Sequence, residues 1–431
     1  MAFGTGKLIA TSFVLSQSPA YAGDLPTDWV SARIAGMGGS ATGNTSDVDD
    51  IFFNPAGTAW LRNPRHKNSI ERINLPGITL GGNSVAQGAI WEALNADFPV
   101  STTPYTQILK IPSNWINADR FGKIMKAAVD HPGQPVFVEA QIYPSVVGGG
   151  RNGSTFVFGL PVRTDINTGI INPADTSKLY INSRTTTGAI LSFANGTKSR
   201  MLTYGVNLRP NYRYSYEAND YPSGAVSFAD FRKSVGGTAN KTWGVQADAG
   251  VMMVAADQWF PTLGIAVRNI PTKCVPNYTN PVTGTKMTVC GSARTGDITS
   301  ANSADAIDPT EVRMGFAMTP RFRFGSSRGN LRLSVDGYPI PVTFGGNNYG
   351  FTDLSMNEIL HAGAEFFLGN MFDSQTFGVR IGVNGANLTW GASVKIFGIE
   401  IDYAKYPGYS LVPGQSERKD VRHLIGITSR W

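Results

Sequence analysis

Five arginines stand on the polar faces of short segments in which every second residue is apolar. In the segment 202–216, one face is mainly leucine, valine and tyrosine, while the other carries threonine, glycine, asparagine and arginine. The five are Arg209, Arg268, Arg313, Arg332 and Arg380. A guanidinium binds a carboxylate through two parallel hydrogen bonds. These side chains therefore either pair with acidic residues such as Asp336, Glu400 and Asp402, or hold the anionic head group of a ligand.

Beyond these arginines the chain offers little catalytic chemistry. Its four histidines, His66, His131, His361 and His423, stand in no recognisable nucleophile motif. No phosphate-binding loop or metal-ligand cluster rises above chance. We therefore predict no enzyme, no catalytic residue, no metal and no cofactor. The formal net charge of +6 is modest and does not predict a nucleic-acid partner.

The two cysteines, Cys274 and Cys290, lie in a stretch rich in proline, threonine, asparagine and glycine. A close pair in an exported protein predicts a disulfide that staples one loop. A zinc site is not predicted, because it needs four ligands.

The elements that must position these residues are strands. The alternation runs through about fourteen segments, as is typical of a transmembrane β-barrel. No amphipathic helices alternate with them to cover the apolar faces, so lipid is the predicted partner of those faces. We predict an all-β, about 14-stranded antiparallel barrel with strands near 66–81, 136–147, 152–163, 178–195, 200–216, 241–254, 258–270, 310–323, 329–336, 357–368, 374–384, 387–397, 398–406 and 420–431.

Residues 1–22 have the pattern of a secretory signal, with Lys7 before a short apolar core and Ala20 and Ala22 at the cleavage site. No later stretch offers the ~18 apolar residues that a membrane-spanning helix needs. We divide the chain into the signal 1–22, an N-terminal segment 23–65 and a barrel 66–431. The even strand count predicts a bacterial outer-membrane protein with both termini in the periplasm.

The connections are predicted to alternate between short periplasmic turns and long external loops, with a tight turn at 384–387 as the exception. In the first long loop, Phe121, Ile124 and Met125 fall at helical spacing, and His131-Pro132-Gly133 ends the pattern. A short amphipathic helix is predicted there, and more weakly a second from Ser84 to Asp97. The first helix either packs on the barrel rim or lines a port for apolar molecules.

Both ends of the chain resemble one family. The N-terminal stretch has a glycine-rich opening, an acidic run and an Asn-Pro-Ala-Gly turn, and the late segments 361–366 and 401–404 read HAGAEF and IDYA. Together they resemble FadL-type outer-membrane long-chain fatty acid transporters and the related PorV-like barrels. The resemblance implies that the N-terminal segment folds into the lumen as a hatch, although an ordinary arm leading to the first strand remains the alternative. The hatch motif residues are Gly36, Gly38, Gly39, Asp49, Asp50, Asn54, Pro55, Ala56 and Gly57.

Two functions follow from the resemblance. The first is passive uptake of a hydrophobic small-molecule ligand such as a long-chain fatty acid, and the second is a PorV-like docking of exported proteins for a secretion system. Proline has no N–H to give to a ladder, so Pro144, Pro161 and Pro210 either mark a weak place in the wall between the second and fifth strands or mark strand ends or bulges. The last strand, which ends at Trp431, resembles the signal read by the barrel-assembly machinery.

Overall fold

The computed structural model describes most of the predicted barrel and part of the N-terminal segment. The described residues are 29–44, 48–61, 70–87, 126–149, 153–172, 174–197, 199–223, 237–255, 259–279, 286–298, 306–324, 327–344, 347–349, 352, 354–370, 374–410 and 418–430. The predicted signal, the helix residues Phe121, Ile124 and Met125, and Trp431 lie outside them. Residues 84–87 and 126–130 are helical, within the two predicted helix regions.

Twenty-two strand segments are described. They are β1 Ile70–Asn83, β2 Val136–Gly149, β3 Thr155–Gly159, β4 Val162–Asn172, β5 Asp175–Gly188, β6 Ile190–Gly196, β7 Leu202–Pro222, β8 Asn240–Val254, β9 Thr262–Arg268, β10 Lys273–Thr279, β11 Lys286–Gly296, β12 Ile307–Pro309, β13 Glu311–Met318, β14 Arg321–Phe324, β15 Ser327–Ile340, β16 Val342–Phe344, β17 Asn347–Tyr349, β18 Leu360–Asn370, β19 Ser374–Asn384, β20 Asn387–Ile396, β21 Ile399–Ser410 and β22 Arg418–Arg430.

These segments form a closed antiparallel barrel with fourteen positions around its wall. The ring closes because β1 pairs with β2 on one side and with β22 on the other. Some positions hold two segments in line: β3 and β4 both pair with β2, β5 and β6 both pair with β7, and β13 and β14 both pair with β15. The predicted fold class and all fourteen predicted strands are confirmed. Most ends differ by a few residues, but the strand predicted at 152–163 continues to Asn172 and the one predicted at 200–216 continues to Pro222.

The two faces of the wall follow the predicted parity. Val206 and Ile381 are 52% and 53% exposed on the outside, whereas their neighbours Asn207 and Arg380 are 3% and 4% exposed on the inside. This arrangement gives an apolar outer band and a polar interior, as in barrels that span a membrane. Among the helices of the described residues, none is both long and apolar enough to cross a bilayer.

Two stretches predicted as loops contain further strands. The stretch 271–309 holds the hairpin of β10 and β11 together with β12, and 337–356 holds β16 and β17, which runs parallel to β11. Cys274 and Cys290 are register partners in the β10–β11 hairpin and are joined by a disulfide. The turn-forming composition hid these strands, which gain stability from a small apolar cluster that includes Val275, Tyr278 and Ile307. The tight turn predicted at 384–387 is present, with Gly385 at a φ of 59°.

The N-terminal segment, defined here as Trp29–Leu61 without residues 45–47, lies inside the ring. It forms helix α1, Ala32–Gly36, and two 3-10 helices, Val48–Phe52 and Pro55–Trp60. Nearly all of its residues are buried, and α1 and the second 3-10 helix contact strands on opposite sides of the barrel. We call it the lumenal segment.

Candidate functional site in the lumen

The Asn-Pro-Ala-Gly motif builds a compact turn at the centre of the lumenal segment. The side chain of Asn54 accepts a hydrogen bond from the Ala56 amide at 3.1 Å, which caps the second 3-10 helix, and Pro55 occupies its first position. The carbonyl of Asp50 accepts from the amides of Phe53 and Asn54 at 2.9 and 2.8 Å. Asn54 Nδ2 also donates to the carbonyl of Thr42 at 2.9 Å, so the motif ties two parts of the segment together.

A buried ion cluster fastens α1 to the wall. Glu365 lies between Arg332 and Arg380 as a direct register partner of both, and its carboxylate accepts from them at 2.6 and 2.7 Å. Arg33 of the lumenal segment donates to the same carboxylate from Nε and Nη2, at 3.0 and 2.9 Å. Arg380 also pairs with Asp402 at 2.8 Å. One glutamate of the wall thus holds three guanidinium groups, one of which belongs to the segment.

A second clamp holds the glycine-rich part of the segment. Asp336 Oδ2 accepts from the amides of Ala41 and Thr42, both at 2.6 Å. Tyr338 donates its hydroxyl to the carbonyl of Gly39 at 2.9 Å. The His361 ring stacks on Tyr338 with centroids 4.0 Å apart, and its Nδ1 lies 2.9 Å from the carbonyl of Gly38.

The five arginines predicted from the sequence are all ion-paired with wall carboxylates, which favours the structural interpretation of their role. Asp402, one of the predicted partners, pairs with Arg380. The hydrogen bonds of Asp336 come from backbone amides of the segment. Cross-strand register brings most of the remaining partners together, whereas Arg313 and Glu311 lie two residues apart on β13. The polar pattern alone did not reveal these pairs. The pairs are Arg209 with Asp248, Arg268 and Arg313 with Glu311, and Arg332 and Arg380 with Glu365.

One side of the lumen is apolar. The rings of Trp29 and Phe52 stack at a centroid distance of 5.4 Å, and both contact Tyr143 of β2, at 5.1 and 5.0 Å. Val157 of β3 and Ile190 of β6 belong to the same buried cluster. The segment meets this arc of the wall mainly through apolar side chains. We call the packing of Trp29 and Phe52 against Tyr143 the aromatic contact.

The wall behind the aromatic contact carries a row of proline defects. Pro144 in β2, Pro161 between β3 and β4, and Pro210 in β7 fall at one level across four neighbouring wall positions. Each proline carbonyl accepts a bond from the next strand, but the proline cannot donate the return bond of the pair. We call this row the proline line. The three bonds that are made are Leu160 N to Pro144 O at 3.0 Å, Gly188 N to Pro161 O at 3.1 Å and Ala189 N to Pro210 O at 3.0 Å.

A small polar cavity lies beside the aromatic contact, between the segment and β1, β2, β21 and β22. Its volume is about 30 Å³, and Trp29, Arg33, Asp49 and Tyr143 are among its lining residues. That is more than the roughly 10–15 Å³ that a cavity needs to hold one water molecule. Gln141 of β2 closes this region from the side, because its amide accepts from Val30 N at 2.9 Å and donates to Val30 O at 3.2 Å.

The remaining hatch motif residues lie at close contacts. A Cβ built on Gly38 would be 2.4 Å from the carbonyl oxygen of Val383, one on Gly39 would be 2.4 Å from the Tyr338 hydroxyl, and one on Gly57 would be 3.0 Å from the Asn44 carbonyl oxygen. Gly36 lies at the end of α1 and accepts a hydrogen bond from Thr389 Oγ1 at 3.1 Å. Within the described residues, no group of three or more histidine, cysteine, aspartate or glutamate side chains is placed to hold a metal ion.

The sequence did not assign this role to the residues that hold the segment in place. His361 and Glu365 stand in the motif 361–366, which predicted only a family resemblance, and Tyr338 lies in the stretch 337–356 that was predicted as a loop. Tyr143 is an aromatic residue on the inward face of a strand, where the other side chains are mainly polar. This exception was the signal in the sequence that could have identified it. The glycines on the inward faces of successive strands were a second signal in the sequence for where the segment lies against the wall.

Comparison with known proteins finds similarity in fold. No protein-family model and no curated protein matches the chain. Among solved structures, the toluene transporter TodX of P. putida is 11% identical, with 94% of this chain and 98% of that chain covered and a TM-score of 0.46. The toluene transporter TbuX of Ralstonia pickettii is 12% identical, with 94% and 99% covered and a TM-score of 0.45.

A FadL homologue of Pseudomonas aeruginosa is also 12% identical, with 95% of this chain and 99% of that chain covered and a TM-score of 0.44. These structures include the FadL type that the sequence motifs resemble. At such identities and TM-scores the likeness carries no argument about a ligand. The chain's own strand pairing and outward apolar band define its class, a β-barrel of the outer-membrane type.

Proposed function

We propose that this protein carries small hydrophobic molecules across the outer membrane by diffusion, with the lumenal segment as a hatch. The observation that carries the proposal is the coincidence of the aromatic contact with the proline line. Most of the inward face holds buried ion pairs, which an apolar molecule would have to desolvate at a high cost. The arc formed by β2, β3 and β6 instead offers an apolar surface and a wall with missing hydrogen bonds.

The proposed path follows from this placement. A hydrophobic molecule reaching the aromatic contact displaces Trp29 and Phe52 from Tyr143, which breaks apolar contacts and leaves the ion clusters intact. It then leaves sideways through the proline line. The outer surface there is also apolar, with Phe156, Phe158 and Leu191 exposed around a groove.

The class of ligand follows from the charges. The guanidinium groups of all five predicted arginines already contact carboxylates, so a fatty-acid head group that binds one must displace an existing partner. We therefore propose two ligand classes, long-chain fatty acids and neutral aromatic hydrocarbons. Only the first requires such an exchange. Of the five arginines, Arg209 has the most complete bidentate geometry, with two hydrogen bonds to Asp248 at 2.8 and 2.9 Å.

The test is uptake by intact cells that express the chain, compared with cells that carry the empty vector. Labelled oleate, labelled toluene and a labelled hydrophilic sugar are supplied in parallel, and insertion is checked by heat-modifiable gel mobility. We expect expression to increase uptake of oleate, toluene or both, without increasing sugar uptake. Equal uptake with and without a correctly inserted barrel would refute the proposal.

The docking of exported proteins is the second candidate. The observation that favours it is Phe397, which is 95% exposed at the tip of the turn between β20 and β21. A stable partner protein recovered with the wild-type barrel but not with Phe397→Ser, together with no hydrophobic uptake, would support docking and exclude transport.

A further inference from the structure

Six glycines on the inward face of the wall lie directly against the lumenal segment. They are Gly205, Gly250, Gly264, Gly315, Gly363 and Gly382, on β7, β8, β9, β13, β18 and β19. At each one an added Cβ would come within 3.0 Å of an atom of the segment. Three pairs are direct register partners: Gly205 with Gly250, Gly264 with Gly315, and Gly363 with Gly382.

For several of these glycines the obstacle is segment backbone, which cannot turn away as a side chain can. A Cβ on Gly363 would lie 2.3 Å from the carbonyl oxygen of Met37, and one on Gly382 would lie 2.4 Å from the amide nitrogen of Gly38. A Cβ on Gly264 would lie 2.1 Å from the carbonyl oxygen of Thr42. Real Cβ atoms do not approach so closely, so any larger residue must push the segment off the wall.

The order of the contacts shows how the segment runs. Met37 and Gly38 meet β19 and β18, Thr42 meets β13 and β9, and Asn54 and Pro55 meet β8 and β7. The segment therefore follows the inner wall as a hoop, one strand after another, against the strand order. Between β13 and β18, Asp336 on β15 supplies the clamp to the amides of Ala41 and Thr42.

The opposite arc differs. At Gly426 of β22 an added Cβ would be 3.8 Å from Ala32 Cβ, which is ordinary van der Waals contact. The small polar cavity and the aromatic contact lie on this side. The segment thus comes closest to the wall backbone at the six glycines from β7 to β19, whereas Gly426 of β22 leaves room for a Cβ. On β2, the segment is held by the two hydrogen bonds between Val30 and Gln141.

We infer that the six glycines are a seat that fixes the segment permanently to one half of the wall and seals the lumen there. Any opening then forms between the segment and the opposite arc, and the segment does not leave the barrel. The seal is independent of the ligand. Only the side on which the opening forms rests on the proposed function.

The seal is tested with Gly363→Ala and Gly382→Ala, and Gly426→Ala is the matched control because it faces inward with room for a Cβ. Each purified barrel is placed in a planar bilayer, and its conductance in potassium chloride is recorded. We expect the seat variants to raise the basal conductance several-fold and Gly426→Ala to match the wild type. Unchanged conductance in folded seat variants, or equal leakage in Gly426→Ala, would overturn the inference.

A second measurement needs no variant and covers the case in which the seat variants fail to fold. Hydrogen exchange of the wild-type barrel in detergent is followed by mass spectrometry of peptides from the segment. We expect slower exchange at residues 37–42, 54 and 56 than at residues 29 and 31. Val30 is left out of the comparison, because its amide donates to Gln141 at 2.9 Å. Uniform exchange along the segment would show that it moves as one body, which contradicts a fixed seat. Because neither measurement uses a transported ligand, failure of the uptake proposal would not affect the result.

Discussion

Glu365 shows most clearly how single residues hold the lumen together. Its carboxylate is fully buried and contacts three arginines, from β15, β19 and the lumenal segment. Charges in such a place are tolerated because they are paired and because hydrogen bonds satisfy them. The lumenal segment is therefore held to the wall by ion pairs that depend on a few carboxylates.

We predict that Glu365→Gln weakens the barrel and releases α1. The neutral amide leaves buried guanidinium groups without their counter-charge, and breaking a buried ion pair costs about 3–5 kcal/mol. The midpoint of urea unfolding in detergent measures the loss. Asp130→Asn is the control, because its pair with Lys126 is exposed and should leave the midpoint unchanged. An unchanged midpoint for Glu365→Gln would show that the cluster does not fasten the segment.

At the scale of elements, several strand pairs of the wall, such as β1–β2 and β13–β15, contain register shifts, and Pro320 between β13 and β14 is a single proline defect whose carbonyl accepts from Leu331 N at 3.0 Å. The proline line is the place where three such defects fall at one level. The register of the strands continues through it without a shift, since the pairs on both sides of each defect stay in step. The defect is therefore a loss of hydrogen bonds and not a bulge. Separating the strands at such a place costs less free energy than separating strands that are fully hydrogen-bonded.

We predict that replacing Pro144, Pro161 and Pro210 together by valine strengthens the wall and reduces uptake. Each valine supplies an N–H opposite the carbonyl of its partner, and a hydrogen bond contributes about 0.5–1.5 kcal/mol. The urea midpoint should rise, and oleate accumulation should fall at equal amounts of inserted protein. A matched triple replacement at exposed Val206, Val251 and Val335 by isoleucine should change neither. Full uptake by the more stable proline-free barrel would place the path elsewhere.

The β10–β11 hairpin is predicted to depend on its disulfide more than the barrel does. The disulfide closes a sequence separation of 16 residues, which in the entropy model corresponds to about 3 kcal/mol. In the double variant Cys274→Ser, Cys290→Ser, limited proteolysis should cut the hairpin faster while heat-modifiable mobility persists. Loss of that mobility would show that the hairpin supports the wall.

The sequence predicted the strands and their faces because side-chain alternation is a local property of a strand. Leu333 and Arg332 reveal their sides without knowledge of any partner. The partners of Glu365 could not be predicted, because they depend on the register of three strands. The strands β10 and β11 were missed because proline, asparagine and glycine suggest a loop, whereas pairing and a local apolar cluster decided the structure.

At the scale of the whole molecule, the barrel has two unlike halves. The half from β7 to β19 contacts the segment through glycines, hydrogen bonds and ion pairs. The other half contacts it through aromatic rings and the hydrogen bonds between Gln141 and Val30, and it contains Pro144 and Pro161 of the proline line. This division gives a closed lumen that is weakest where an apolar molecule finds a matching surface.

We propose that passage requires Trp29, which precedes α1, to move away from Tyr143 in this weaker half while Arg33 keeps its ion pair with Glu365. A disulfide between Ala32→Cys and Gly426→Cys can hold this end of the segment in place. The Cβ separation of 3.8 Å equals the usual distance in a disulfide. The background is Cys274→Ser, Cys290→Ser, and Ala32→Cys alone is the control that cannot form the tether.

The decisive measurement is accumulation of labelled oleate and labelled toluene by cells carrying the tethered barrel, before and after reduction. We expect little uptake of either compound in the oxidised state and full uptake after reduction, with no change in the Ala32→Cys control. Equal uptake in the oxidised and reduced states would contradict this expectation, because hydrophobic molecules would then pass without any movement of the lumenal segment at β22.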